Sequence, residues 1–337
     1  MLKKFIAIIM SVLMVCSFAS CGSKTAETSS ETPAQETTTE GTTMNSKTES
    51  NANAIGTVSN TLASDEDALV NDYSDKFKQV VYADSETGLS VTYNLFLPDN
   101  YDKSKKYPTV VFIADSSCVG STTSSLTQGL GALVWATDEW QKANETIVVV
   151  PTYNTTVLDD HSGYTKTEYV ELTKRLIDDV SEKYAVDTNR IYGTGQSMGC
   201  MIHLILAAEY SDLYAACMFV DGQWDTSELK GLKGQSFVYF AAEDDDRANS
   251  GMSEVISMFD ADATSYSYEQ WDGNWTPDEL SSAAEKLFNA GTDANFISWK
   301  TGTIATSGGM QGSAHMASFD YAYNCIAVME WLFAQTK

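Results

Sequence analysis

Positive charge is scarce in this 337-residue chain: 21 Lys and Arg stand against 46 Asp and Glu, a formal net charge of -25. No Lys/Arg cluster offsets that balance, so nucleic acid, whose phosphate backbone needs a basic footprint, is not an expected partner. The acidic surface implies solubility and repulsion of anionic substrates instead. Histidine is sparser still, at three residues, which shortens any search for a general base. The six cysteines include no CxxC or other metal-like spacing. No internal repeat is visible, and the apolar stretch at the N-terminus is too short to span a membrane with its own flanks. What remains, 43% hydrophobic with only five prolines, is material for one large domain.

Residues 1–21 carry Lys3 and Lys4, an apolar core from Phe5 to Phe18, then Ala19-Ser20-Cys21, the layout of a secretory signal peptide. Small residues before a cysteine, with Gly22-Ser23 after it, resemble a bacterial lipobox in which Phe18 stands for the usual leucine. That resemblance implies export, lipidation at Cys21 and a membrane association through the lipid anchor alone; plain secretion or an uncleaved anchor is the alternative. Residues 22–63 are almost wholly Ser, Thr, Glu, Ala, Asn and Gly without an aromatic. Such a stretch cannot bury enough apolar surface to offset the entropy of ordering, so it reads as a disordered tether before a domain at 64–337. Of the four remaining cysteines, Cys118, Cys200, Cys217 and Cys325, the spacing fixes no pairing. Cys200 and Cys217 sit in apolar runs and read as buried free thiols.

Within the domain, Lys78 to Tyr82 and Leu89 to Leu97 alternate like the strands of a hairpin. Tyr107 to Ile113 and Thr146 to Pro151 are near-continuous apolar runs, as expected of parallel strands covered on both faces. Helical patterns at Leu126 to Lys142 and Thr167 to Tyr184 follow these runs. Strands at Ala215 to Val220 and Ser236 to Ala242, a helix at Ser253 to Phe259, another at Pro277 to Ala290 and a last one at Ser318 to Ala334 complete the alternation. It predicts a doubly wound α/β fold with a mostly parallel sheet.

The densest signal is Arg190 to Ala208. A short β-prone run enters Gly195-Gln196-Ser197-Met198-Gly199 and leaves as an apolar helix. Gly-x-Ser-x-Gly in a strand-to-helix context presents a serine on a strained turn, the glycines allowing close approach of strand and helix. A serine needs a base, and the base needs an acid to fix its tautomer. His161 lies in a polar loop, and His203 lies on the helix after Ser197, pointing away from the turn. His315, in a glycine-rich loop before the last helix, is the candidate base. The strand FVYFAA runs into Glu243-Asp244-Asp245-Asp246 at its carboxyl end, where such sheets place their chemistry. The order Ser, acid, His is that of the α/β-hydrolases. No ordered ligand pattern accompanies the acidic run, so neither metal nor cofactor is expected.

Val186-Asp187-Thr188-Asn189-Arg190-Ile191-Tyr192, the Gly195–Gly199 motif, the strand ending in Asp245, and His315 before Trp331-Leu332-Phe333 together resemble the α/β-hydrolase esterases grouped with polyhydroxybutyrate-depolymerase-like proteins and predicted peptidases. The resemblance covers roughly Lys78 to Lys337. It implies the α/β-hydrolase fold and a triad of Ser197, Asp245 and His315, with Asp244 and Asp246 as neighbouring carboxylates. The family's strand usually ends His-Gly-x-x-Asp, and Ala241-Ala242-Glu243-Asp244-Asp245 keeps the spacing without His-Gly. For the oxyanion hole it implies the amides of Met198 and of Ser116, in Ala114-Asp115-Ser116-Ser117 where the family often has His-Gly-x-Gly. Because the donors are backbone groups, Ser116 can serve without glycine.

The stretch from Ala261 to Gly302 is rich in aromatics. These either close the last strands against the core or, through Trp271 and Trp275, line a substrate pocket. The combined expectation is an exported serine esterase acting through an acyl-enzyme on small-molecule or polysaccharide esters. A peptidase is the alternative within the class. A solute-binding lipoprotein, which would need two similar lobes, and a degenerate hydrolase fold used for binding are the alternatives outside it.

Overall fold

The structure is a computed structural model that describes residues 66–305 and 313–337. The expected signal peptide, the whole of the expected tether, Cys21 and most of the glycine-rich loop before His315 lie outside the described residues. Among the described residues, eleven strands occur in the order β1 (Lys78–Ala83), β2 (Ser90–Phe96), β3 (Tyr107–Ile113), β4 (Ile147–Thr152), β5 (Leu158–Asp159), β6 (Thr165–Lys166), β7 (Val186–Gln196), β8 (Ala216–Val220), β9 (Phe237–Ala242), β10 (Ser267–Trp271) and β11 (Ala294–Trp299). The helices are α1 (Glu66–Tyr73), α2 (Thr122–Thr127), α3 (Asp138–Ala143), α4 (Tyr169–Lys183), α5 (Met198–Glu209), α6 (Asp246–Ala261), α7 (Pro277–Phe288), α8 (Ala314–Tyr323) and α9 (Ile326–Ala334).

Nine strands form one sheet in the order β1-β2-β4-β3-β7-β8-β9-β11-β10. Only the β1–β2 and β2–β4 ladders are antiparallel; from β4 to β10 every pairing is parallel. This is the α/β-hydrolase arrangement, built on one large sheet rather than two similar lobes, with β5 and β6 forming a separate antiparallel pair. The parallel strands are fully buried along β3, β4, β8, β9 and β11, which is why they read as unbroken apolar runs. Helices α4, α5 and α6 cover one face through Leu172, Leu176, Leu204 and Val255. Helices α3, α7, α8 and α9 cover the other through Trp140, Leu287, Phe319 and Met329. Among the described residues no helix is long and apolar enough to cross a membrane.

After β3 the chain returns on one side as β4 and then crosses to the other side as β7. The crevice at the carboxyl ends of β3 and β7 is therefore the switch point where an open α/β sheet binds ligands. The loop carrying Ser116 and the turn carrying Ser197 both rise there.

Several elements differ from the expected ones. The single helix Leu126 to Lys142 is instead α2, a 3-10 turn at Val134–Ala136 and α3. Gly129 stands at φ +66°, and a Cβ at Gly131 would lie 2.3 Å from the Phe112 ring, so tertiary contact with β3 overrides helical spacing. Thr137 then caps α3 by accepting from the Trp140 amide. The last helix is two, α8 and α9, divided at Cys325, whose φ of −95° and ψ of 88° lie outside the helical region. Helix α6 starts seven residues earlier than expected, because the Asp245 side chain caps it. The aromatic segment contains two strands, β10 and β11, that complete the sheet. The four cysteines among the described residues, Cys118, Cys200, Cys217 and Cys325, are buried free thiols.

Candidate active site

Ser197 occupies the turn between β7 and α5 with φ 51° and ψ −118°, a conformation that costs a non-glycine residue about 1–3 kcal/mol and persists only where the surroundings over-determine it. Here they do. A Cβ on Gly199 would stand 1.9 Å from the Ile113 carbonyl oxygen, and one on Gly195 would stand 2.7 Å from the same atom. Helix α5 is thus pressed onto the end of β3, and the Ser197 amide is held by Val220 O at 3.0 Å. The strain is maintained by a helix whose residues Met198 to Ala207 are all buried.

Above this turn the three sequence-derived residues converge. His315 Nε2 lies 3.0 Å from Ser197 Oγ, and His315 Nδ1 lies 2.5 Å from Asp245 Oδ2. That spacing corresponds to an Nδ1–H donating to the carboxylate and a free Nε2 accepting from the serine hydroxyl. Asp245 is fixed at its other oxygen, which accepts the amides of Arg247 and Ala248 at 3.2 Å each. His315 opens α8, where Ser313 caps the helix, and its ring packs edge-on against Phe319. Burial opposes protonation of His315. The hydrogen bond and charge of Asp245, aided by Asp221 and Asp115, outweigh it and raise the imidazole's pKa above its ordinary value. The neighbouring carboxylates do other work: Asp244 accepts the Gly302 amide and Glu243 that of Thr301.

Across from Ser197, Asp115 caps a 3-10 turn (Ser116–Cys118) by accepting the Ser117 amide at 2.6 Å. The turn's own bonds use the Cys118 and Val119 amides and leave that of Ser116 outside them. Met198 is the first residue of α5, so its amide has no intrahelical partner. The structure thus brings Met198 and Ser116 to the same cavity as the triad.

The cavity measures about 630 Å³. Its lining mixes apolar side chains, Leu158, Met198 and Met201, with polar ones, among them Gln223, Asp160, His161 and Arg247. Arg247 is anchored there by Asp160 at 2.6 Å and faces His161 Nε2 at 3.1 Å. Asp159, Asp160 and His161 are the metal-ligand grouping found among the described residues, but the buried Asp160 carboxylate already serves Arg247 and Gln223.

The family model described as "Putative esterase" matches residues 85–313. The chain belongs to the putative esterase family. No curated protein matches it. Among solved structures, a thermostable esterase is similar at 24% identity and a TM-score of 0.58, covering 78% of this chain, which spans 64% of that chain's length. A serine-to-alanine mutant of the feruloyl esterase module from Clostridium thermocellum, complexed with sinapinate, is similar at 14% identity and a TM-score of 0.53, covering 82% of this chain and 95% of that one. At these identities the likeness is one of fold.

Trp271 and Trp275 are not among the residues lining the cavity beside Ser197, which corrects the pocket-lining expectation. Trp271 is completely buried, ringed by Phe240, Trp275 and Trp299. Trp275 borders a separate depression with Asp278, Glu279 and Ser282, under the Lys300 ammonium. Aromatic content says how much a segment buries, not which cavity it borders. His203 is likewise core, its Nδ1 at 2.9 Å from Tyr214 Oη, and burial pushes its pKa down to about 3.

Sequence reasoning missed Arg247, Gln223 and Asp160, and gave His161 no role at the site's rim. Their meeting depends on contacts as distant as 87 positions, which no local pattern reports. It also missed Asp221, although an acidic residue directly after the buried run Ala216–Val220 was a visible signal of the same kind as Asp245.

Proposed function

We propose that this member of the putative esterase family is an extracytoplasmic serine esterase, held at the bacterial surface through Cys21, that cleaves carboxylic esters by way of an acyl-enzyme. The observation that carries the reading is the continuous chain Ser197 Oγ, His315 Nε2, His315 Nδ1, Asp245 Oδ2, with separations of 3.0 and 2.5 Å. In it His315 takes the hydroxyl proton as Ser197 attacks the ester carbonyl. Asp245 keeps the tautomer and stabilises the imidazolium. The Met198 and Ser116 amides receive the charge developing on the carbonyl oxygen. His315 then gives the proton to the departing alcohol, and water, activated by the same imidazole, releases the acid.

For substrate class, the mixed apolar and polar lining of the cavity suits an acyl group on a hydroxylated carrier, and acyl groups on polysaccharides are the reading we favour. Because one fold neighbour is a feruloyl esterase module complexed with sinapinate, feruloyl and sinapoyl esters are the first to assay. The test of the reaction is turnover of p-nitrophenyl acetate by wild type and Ser197→Ala. Loss of roughly 10⁴-fold or more in kcat is expected; equal turnover by the variant, or no ester turned over by the wild type, would overturn the reading. For the anchor, palmitate incorporation should disappear in Cys21→Ala.

A further inference from the structure

One ionisable group beside the Ser197–His315–Asp245 array has no part in the reaction as written. Asp221 follows β8 immediately, is fully buried, and stands at φ 44°, a left-handed conformation that Asp adopts more readily than most residues but still at a cost. Its carboxylate is engaged from two directions. One oxygen accepts the Ala242 amide at 2.8 Å, at the end of β9 and three residues before Asp245. The other accepts the hydroxyl of Ser318, on α8 and three residues after His315. The same Ser318 hydroxyl lies 3.0 Å from the His315 carbonyl oxygen. The backbone of Asp221 is itself tied to Phe240 O at 2.9 Å.

These contacts place one carboxylate between the arm that carries the acid and the arm that carries the base. Burying a carboxylate there is unfavourable unless it is hydrogen-bonded, and both of its partners belong to elements that position the triad. We infer that Asp221 is a positioning residue for the esterase reaction: it holds the Asp245 loop and the His315 helix in register and sets a buried negative charge behind the imidazole. The inference rests on the triad assigned above, and Asp221 itself touches no substrate.

Around His315 the charged groups are Asp245 from the loop after β9, Asp221 from the end of β8 and Asp115 from the loop after β3. Around Asp221 are Asp245 and His315, with the neutral Cys200 of α5, Tyr239 of β9 and Tyr323 of α8. Burial drives the Asp221 carboxyl up to about 7, against the opposing hydrogen bonds of Ser318 and Ala242. Asp221 therefore gains its charge around neutral pH. A negative charge behind the ring favours the imidazolium, so removing it lowers the imidazole's pKa.

The experiment compares pH–rate profiles with p-nitrophenyl acetate, and NMR titrations of the His315 imidazole, for wild type, Asp221→Asn and Ser318→Ala. In Asp221→Asn the acid limb and the His315 titration should both move to lower pH by about half a unit or more. In Ser318→Ala, which cuts the tie to the helix, kcat should fall about tenfold or more with KM unchanged. An Asp221→Asn protein whose limb and His315 titration coincide with wild type would overturn the inference whatever its rate. Should that variant not fold, Ser318→Ala decides, and wild-type kcat there overturns the positioning role. A wild type that turns over no ester would sink the esterase reading instead, while the His315 titrations still decide the role of Asp221.

Discussion

The turn that carries Ser197 and the turn that carries Ser116 rise from adjacent strands, β7 and β3, yet backbone packing fixes the first and hydrogen bonds fix the second. At Ser197, Gly195 and Gly199 lie so close to the Ile113 carbonyl that neither has room for a Cβ. The φ of 51° at Ser197 follows from that packing. At the facing turn, Ser116 and Ser117 are exposed. Its shape depends on the Asp115 carboxylate, on Gln128 donating to Ser117 Oγ at 3.0 Å, and on the Gly120 amide bonded to Tyr153 O at 2.8 Å. A backbone donor needs only a correct main-chain path, so the hydrogen-bonded turn can supply an amide without glycine. Positioning a nucleophile by packing tolerates almost no substitution. Positioning an amide by caps leaves the side chain free to vary.

The widest departure from wild type should come from the acid that serves both sides of the triad. Asp245→Asn keeps an oxygen to cap α6, so folding is retained, but its amide meets His315 Nδ1 and enforces the wrong tautomer. A loss of about 10⁴-fold in kcat with an unchanged circular dichroism spectrum is the expected outcome. Next comes the exposed turn. Ser116 is the first residue of its 3-10 turn, where proline fits the backbone and removes only the N–H. Ser116→Pro should therefore cost roughly 10²–10³ in kcat, whereas Ser116→Ala, which keeps the amide, stays near wild type. Equal rates for the two would mean that this amide holds no oxyanion. The packed turn should respond in stability instead: Gly199→Ala drives a methyl into Ile113, and thermal melting should show a loss of about 3 kcal/mol.

The mildest test is pH. His315 acts as a base only when neutral, and its pKa is raised, so the acid limb of kcat/KM should turn above about 6.5, the unperturbed histidine value. The sign for stability is opposite. Protonated His315 is favoured by folding, so its contribution is complete below the unfolded pKa and is lost as pH rises through the folded one. A limb well below the ordinary histidine value would contradict the Asp245 pairing.

The two turns also show what a sequence can reveal. Ser197, Asp245 and His315 were legible because each sits at the end of an element whose pattern is local: a strand-to-helix motif, a buried strand running into carboxylates, a loop before a helix. The split of the Leu126 to Lys142 pattern was not legible, because its cause is Gly131 against Phe112 and Tyr323, contacts made only in the folded sheet. Trp271 and Trp275 failed as pocket residues for a related reason. Alternation along Ser267–Trp271 tells that one side is buried, but the side that Trp271 faces is packed by Phe240 and Trp299 from two other strands. Asp221 had a local signal, while its meaning came from Ser318, 97 positions away.

The central claim is that Ser197 is activated by His315 in the folded protein. Intact-mass analysis after brief exposure to a fluorophosphonate at neutral pH tests it most directly, with wild type, His315→Ala and denatured wild type side by side. A single adduct mapped to Ser197 in folded wild type, strongly slowed in His315→Ala and absent after denaturation, is the result the account predicts. An unlabelled Ser197 in folded protein, or labelling at the same rate without His315, would contradict it.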